Sequence, residues 1–410
     1  MKQIKMVLVN PSNKFLSNVF MSEPLGLMYL EGVLKNIGVD VQIVDMSFTS
    51  TLPEADIYGF SASSIHYQQC VEYARKTNGA YTVIGGPHVS VLPGDALKYF
   101  HAVVMGPGEK AIVDVINDFK HEKKGGVFFG NIENIDAIPI PPRTIMNTIN
   151  YNVFPNVDKS ASIITSRGCP YTCSFCSSNA IWGRKVLYHS IDRVMKEIQY
   201  LKETYNINHF KFVDDIFTLN KPRFKEFAKA LSNLNIKWLC ESRIDALDDE
   251  ILDEMMKNGC THIDIGAESA NDMVLEKIHK KQIVSKVKNA IRKIKSKGLK
   301  VKTYFIYGLP FEPENIVQQT IDFIEETNPD YVSLFTLVPY PGTDIWKHPE
   351  QYNIKEINKD FNKYQHSVGN TPEELEWLPV VEYNDRTREK MREERNTLKK
   401  YIMERNKRKA

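Results

Sequence analysis

Ser166-Arg167-Gly168-Cys169-Pro170-Tyr171-Thr172-Cys173-Ser174-Phe175-Cys176 is the stretch whose reading decides both fold and chemistry. It puts three of the six cysteines within eight residues, spaced C-x3-C-x2-C, just after the apolar run Ala161-Ser162-Ile163-Ile164-Thr165. Three thiolates on one short loop close around iron more readily than they pair as disulfides, and an iron–sulfur cluster ordinarily takes four cysteines. A cubane held by three leaves one iron without a protein ligand, and an open coordination position is what lets a bound metal do chemistry. Two plainer readings stand beside it: a structural zinc loop, and three unrelated thiols. Zinc loops more often carry paired C-x2-C motifs, and the fourth ligand would have to come from elsewhere.

Outward from this loop the chain alternates strand and helix. Helical periodicity runs from Arg193 to Tyr205, and the strand Phe210–Asp214 ends in the acidic pair Asp214-Asp215. The helix Pro222–Leu234 leads to the strand Lys237–Arg243, and the helix Asp249–Asn258 to a strand Gly259–Gly266 that ends at Ala267-Glu268-Ser269. The helix Val284–Lys297 stops at Gly298, the strand Lys302–Tyr307 ends at Gly308-Leu309-Pro310, and a last unit runs from Asn315 into Tyr331–Phe335. Six such units predict a partial or full barrel over residues 159–345, with its chemistry at the carboxyl ends of the strands.

Upstream, residues 1–125 predict a doubly wound α/β domain. Apolar runs at Lys5–Asn10, Val39–Asp45, Asp56–Ser61, Tyr81–Gly85 and Ala102–Gly106 read as strands, and Pro24 to Gly38 as the first helix. The ligand crevice of such a sheet lies beyond the strand ends, here Asn10-Pro11-Ser12, Ser61-Ala62-Ser63-Ser64, Gly85-Gly86-Pro87-His88 and Gly106-Pro107-Gly108-Glu109. These loops are small, hydroxylated or glycine-rich, so a large flat ligand can approach the backbone, although Gly and Ser also end strands as plain turn residues. No G-x-G-x-x-G follows the first strand, so a nicotinamide site is not supported. Residues 126–158, with Ile138-Pro139-Ile140-Pro141-Pro142-Arg143, read as connector.

A hydrophobic content of 42% and a charged content of 25% are those of an ordinary soluble chain. From Arg386 to Ala410 there are eleven Lys/Arg against four Glu, an excess of seven, which leaves the rest at about −5. The body of the chain is therefore no nucleic-acid surface. The start Met1–Val9 is too short for a signal peptide, and no apolar run approaches a membrane span. Clustered cysteines point to a reducing, cytoplasmic setting, and Cys70, Cys240 and Cys260 read as buried small hydrophobes.

The cysteine loop on the first strand of a six-unit barrel, with Phe175 before the last cysteine, resembles the radical S-adenosylmethionine (SAM) enzymes. Trp182-Gly183-Arg184-Lys185, Asp214-Asp215-Ile216-Phe217, Glu241-Ser242-Arg243-Ile244-Asp245, Gly266-Ala267-Glu268-Ser269, Tyr307-Gly308-Leu309-Pro310 and Pro339-Tyr340-Pro341-Gly342-Thr343 narrow the resemblance to the cobalamin-binding subclass. It implies a [4Fe-4S] cluster on Cys169, Cys173 and Cys176, an open iron chelating SAM, and cleavage of SAM to a 5′-deoxyadenosyl radical. By position it implies that Asp214 and Asp215 meet the SAM amino group and that Ser242 and Arg243 face its ribose or carboxylate. Gly266 and Glu268 would lie near adenine and ribose, and Gly308 and Leu309 near adenine.

The resemblance also implies cobalamin at the first domain's strand ends, at Asn10, Ser61, Ser63, Ser64, Gly85, Gly86, His88, Gly106 and Glu109. The motif D-x-H-x-x-G, which supplies a histidine to cobalt in some cobalamin proteins, is absent, and many members of the subclass lack it. His88 is then a candidate ligand, while a lone loop histidine is more often solvated or hydrogen-bonded. Read without the resemblance, Asp214-Asp215 is also a candidate helix N-cap, and Arg243–Glu268 a buried ion pair.

Residues 346–410 form a C-terminal extension. Phe361, Tyr364, His366 and Trp377 fall in the part that, by resemblance, closes the barrel mouth and meets substrate. Arg386–Lys409 reads as a solvated basic helix. The expected activity is methylation of an unactivated carbon of a small-molecule or natural-product substrate, fed by an external electron donor such as flavodoxin or ferredoxin. Cyclisation, oxidation or rearrangement without methyl transfer is the alternative, and a non-enzymatic cluster sensor is a third reading.

Overall fold

The computed structural model describes residues 3–13, 16, 18–365 and 375–409, so His366 lies outside the described residues. The chain divides into two compact units: residues 1–153 with 180–182 and 360–364, and residues 154–179, 183–359 and 365–410.

In the first unit, strands β1 (Lys5–Asn10), β2 (Asp40–Asp45), β3 (Ile57–Ser61), β4 (Tyr81–Gly85), β5 (Ala102–Met105) and β6 (Gly126–Phe129) form one sheet in the order 2-1-3-4-5-6. Every neighbouring pair is parallel. Strands buried on both faces read as continuous apolar runs, which is why Met6 to Val9 and Ile57 to Phe60 are buried throughout. Val7, Phe60, Ile84 and Val103 share a core with Cys70 and Val71 of the helix Tyr67–Ala74. The order reverses between β1 and β3, which sets the crevice beyond their carboxyl ends.

The stretch beginning at residue 126, expected as connector, instead starts with β6 and stays with this unit to Val153. Its ties are polar and buried: Arg143 pairs with Glu23, Thr144 N donates to Glu31 at 3.3 Å, and Tyr151 Oη donates to Asp45 at 2.8 Å. Sequence periodicity has no means of showing such ties.

In the second unit, β7 (Ala161–Ile163) precedes a two-residue antiparallel ribbon, β8 (Ser166–Arg167) with β9 (Leu187–Tyr188). Then follow β10 (His209–Phe212), β11 (Lys237–Ser242), β12 (Cys260–Glu268), β13 (Lys300–Tyr307) and β14 (Tyr331–Thr336). The sheet runs 7-10-11-12-13-14, all parallel, which is the expected partial six-stranded barrel. Helices Ile191–Tyr205, Lys221–Leu231 and Asp249–Lys257 begin on Ser190, Asn220 and Asp248, whose side chains cap them. Phe212, Phe217, Phe224, Phe227 and Trp238 interlock, Phe212 and Phe217 stacking at 4.5 Å. The alternate strand positions carry charge: Lys211 pairs with Glu241 at 2.9 Å, and Tyr304 Oη donates to Asp264 at 2.6 Å. Cys240 and Cys260 are buried, as expected.

The helix Arg388–Lys409, expected to be solvated, packs instead. Met391, Arg395, Leu398, Ile402, Arg405 and Asn406 are buried along one face. Arg395 is admitted because its head donates to the carbonyls of Trp377 and Leu375 at 2.8 and 2.9 Å while its stem supplies apolar surface. Asn406 Nδ2 donates to Val332 O at 2.7 Å, and its Oδ1 accepts from Val332 N at 3.2 Å. The ribbon β15 (Ile354–Ile357) with β16 (Val381–Tyr383) precedes this helix. No helix among the described residues is long and apolar enough to cross a membrane.

Candidate active site

The cysteine loop leaves β7 and is anchored at its centre. Ser174 N donates to Ile278 O at 3.0 Å, and Ser174 O accepts from Ile345 N at 3.2 Å. Within the loop Cys176 N donates to Cys173 O at 3.1 Å, and Asn179 Nδ2 donates to Tyr171 O. Cys169, Cys173 and Cys176 are free and half-buried, and burial pushes the Cys176 thiol up to about 12. Phe175 is half-buried beside them.

Among the described residues no three His, Cys, Asp or Glu side chains close around one point as a single metal ion requires. Three free, half-buried thiols on one anchored loop, one of them beside a guanidinium, are the donor type an iron–sulfur cluster takes.

The guanidinium is that of Arg243, just past β11. Its Nη1 lies 3.8 Å from Cys173 Sγ, and the group stacks over Tyr171 with 3.7 Å to the ring centroid. Nη2 reaches Asp245 at 2.8 Å and the Lys280 carbonyl at 2.8 Å. Lys280 in turn pairs with Glu268 at 2.7 Å. Glu268 stands at φ +61°, where the β12–β13 register shifts between Gly266 and Glu268. A non-glycine residue in that region costs roughly 1–3 kcal/mol and such strain gathers at functional sites; here the bulge re-aims the carboxylate. Arg243 and Glu268 therefore do not pair with each other. Each has a different partner, and Lys280 links the two.

Asp214 and Asp215 do not cap a helix; the next helix, Lys221–Leu231, is capped by Asn220. Asp214 is 2% exposed, and its oxygens accept from Thr165 N, Thr165 Oγ1 and Ser166 Oγ at 2.7, 2.6 and 2.7 Å. Burial raises its carboxyl above the ordinary value, against the pull of those donors. It is a tie between the end of β10 and the root of the cysteine loop, with no free oxygen aimed at a ligand. Asp215, outward at the rim, accepts from Ser178 Oγ at 3.0 Å. Ser242 Oγ shares a 2.7 Å hydrogen bond with Thr218 Oγ1. Leu309 is fully buried, so the turn Gly308-Leu309-Pro310 offers backbone rather than side chain.

The first unit's strand ends are mostly uncharged, with Asp45 and Glu109 as the acidic residues among them. Asn10 Nδ2 donates to Asp45 at 2.9 Å; Ser63 Oγ meets His66 Nδ1 at 2.8 Å, and His66 Nε2 meets Asn13 at 2.9 Å. His88 is 3% exposed, bonded to Ser64 Oγ at 3.0 Å and packed on Tyr67 and Phe361 with ring centroids at 4.5 and 4.9 Å. Burial lowers it to about 4, so it is neutral at ordinary pH. It is a packed, hydrogen-bonded histidine here rather than an exposed loop donor. At Gly86, φ +100°, a Cβ would stand 2.8 Å from Ala62 N, so this turn requires glycine whatever binds there. Ser61, Gly85 and Gly106 line the same ends, and Glu109 opens the helix Gly108–His121.

The profile of the radical SAM superfamily matches residues 163–324, and that of the B12 binding domain residues 19–116. An uncharacterized methyltransferase of Pyrococcus horikoshii is 30% identical over 89% of this chain and 87% of its own length. The chain belongs to the radical SAM superfamily. The anaerobic magnesium-protoporphyrin IX monomethyl ester cyclase of Rubrivivax gelatinosus is 26% identical over 83% of this radical SAM chain and 68% of its own. In fold the radical SAM chain matches the methyltransferase TsrM of Kitasatospora setae, solved with cobalamin and a [4Fe-4S] cluster bound. That match has a TM-score of 0.68 at 16% identity and covers 90% of this chain and 79% of that one. A radical SAM domain takes a [4Fe-4S] cluster and SAM, a B12 binding domain takes cobalamin, and this chain carries both.

Sequence reading missed Tyr171, Lys280, Thr165 and Ser166. An aromatic between the first two cysteines was a usable signal for Tyr171. Nothing in spacing marks Lys280, which arrives by way of the helix Asp272–Lys277.

Proposed function

We propose that this radical SAM enzyme methylates an unactivated carbon of a small-molecule substrate. One observation carries the reading: a three-cysteine loop with a row of charge at the neighbouring strand ends, in one chain with a B12 binding domain. When bound, the cluster supplies the electron that cleaves SAM to the 5′-deoxyadenosyl radical, and cobalamin carries the methyl group.

The protein's part is to hold and orient. Cys169, Cys173 and Cys176 hold the cluster on a loop that Asp214 and Ser174 keep in place. Arg243 offers guanidinium to the SAM carboxylate, and Asp215, outward at the rim, offers charge to its ammonium. Glu268 and Ser242 suit ribose hydroxyls, and the Gly308-Leu309 backbone suits the adenine edge. Asn10, Ser61, Ser63, Ser64, Gly85, Gly86, Gly106 and Glu109 are the residues that would receive cobalamin. The electron comes from an external donor such as flavodoxin or ferredoxin, in a reducing, cytoplasmic compartment. A second reading keeps the radical and drops the methyl transfer; the cyclase relative favours it.

The test is anaerobic reconstitution with iron, sulfide and cobalamin, then turnover with methyl-labelled SAM and a chemical reductant. 5′-Deoxyadenosine with S-adenosylhomocysteine supports methyl transfer. 5′-Deoxyadenosine alone supports the second reading. Bound zinc, no iron and no effect of SAM on the spectrum would overturn both.

A further inference from the structure

The turn Gly308-Leu309-Pro310 ends β13 and is fixed by Glu312 together with residues from beyond 380. Gly308 has φ +82°, and a Cβ on it would stand 2.8 Å from Met391 Cε. Its N–H donates to both oxygens of Glu312, at 3.1 and 3.0 Å, and its carbonyl accepts from Tyr383 Oη at 2.7 Å. Glu312 is 1% exposed and pairs with Arg386 at 2.9 Å. The other side of that guanidinium binds Glu394 at 2.7 Å and the hydroxyl of Tyr307, the residue just before the turn. Tyr307 Oη also donates to Glu394 at 2.6 Å.

Both backbone polar groups of Gly308 are thus taken by side chains, and both routes lead to the segment 383–394. A buried carboxylate–guanidinium pair adds little stability over an apolar replacement of the same volume, because desolvation offsets its attraction. What it does supply is geometry: a planar fork admits few arrangements of its acceptors.

We propose that Tyr383 and Arg386 are positioning residues for SAM, holding the Gly308-Leu309-Pro310 turn in the one conformation that receives the adenine edge. The inference rests on the proposed SAM role of this turn. It gives the segment 383–386 of the C-terminal extension a function in cofactor binding, through Gly308 and Glu312.

The experiment measures SAM affinity on the full-length, cluster-loaded protein by the SAM-induced change in the cluster spectrum. Iron content and thermal midpoint are measured beside it. Tyr383→Phe, which removes one hydroxyl, is expected to weaken SAM binding about threefold, and Arg386→Met about tenfold, at unchanged iron content. Arg386→Lys, which keeps the charge and loses the fork, falls between wild type and Arg386→Met. If Arg386→Met does not fold, Tyr383→Phe decides alone. Unchanged SAM affinity in Tyr383→Phe and Arg386→Met, with only the thermal midpoint lowered, overturns the proposal and makes the network a packing device. Gly308→Ala separates the two levels. If it weakens SAM binding while the Tyr383 and Arg386 variants do not, the positioning role alone fails; if it too leaves SAM binding intact, the turn is not part of the SAM site and both readings fall.

Discussion

The two units place their candidate ligand faces alike, at the carboxyl ends of parallel strands, and furnish them in opposite ways. In the first unit the rim is short and mostly hydroxyl, amide and imidazole, Asp45 and Glu109 apart: Ser63 with His66 and Asn13, Ser64 with His88. Burial lowers both histidines to about 4, so neither brings charge. In the second unit the strand ends carry Asp214, Arg243 and Glu268, each already engaged with a partner. A rim of small, mostly uncharged residues gains from contact area and lets a large ligand lie against backbone. A charged rim is useful only if its charges are oriented before the ligand arrives, since reorganising them during binding costs what their attraction gives.

The largest expected break of that contrast is Cys173→Ala. It should abolish reductive SAM cleavage, a loss on the order of a thousandfold or more if the open-iron site is lost. Iron content and 5′-deoxyadenosine formation check it, and SAM cleavage at the wild-type rate would refute the cluster assignment. Next comes Asp214→Ala, which strands three buried donors and should lower unfolding free energy by about 2–4 kcal/mol, read from urea denaturation.

A third test uses pH. Burial pushes the Glu312 carboxyl up to about 7 against the pull of Arg386. The folded protein therefore binds this proton more tightly than the unfolded chain between roughly pH 4.5 and 7. The group's stabilising contribution is full below the unfolded value and is lost as pH rises to 7. Glu312→Gln should flatten that part of the stability profile by on the order of 2 kcal/mol; a slope identical to wild type would refute it. The smallest effect belongs to the first unit's rim. His88→Gln should leave cobalamin content within about twofold, because this histidine packs and hydrogen-bonds inside its own unit. A large loss of cobalamin, with a changed spectrum of its lower face, would make His88 a ligand after all.

These contrasts were unevenly legible in the sequence. The sheets were plain, because parallel strands buried on both faces leave apolar runs such as Met6–Val9 and Ile57–Phe60. β6 escaped because four residues with alternate burial carry too short a signal. The charged rim was visible residue by residue but not as pairs. Sequence shows which charges exist and not which partner each one meets, so Arg243 and Glu268 read as a couple when Asp245 and Lys280 hold them. The last helix misled for a compositional reason. Its buried face alternates Met391, Leu398 and Ile402 with Arg395 and Arg405, and only the packed structure shows that the arginine stems count as apolar surface.

An open barrel of six strands has a last strand with a free side, and here it is β14. Unpaired N–H and C=O groups on such a strand are a template on which another chain's strand can zip. The carboxamide of Asn406 does for Val332 what a neighbouring peptide group would do, accepting from its N–H and donating to its carbonyl. The last helix thereby occupies one rung of this edge with a side chain that cannot be extended into a further strand.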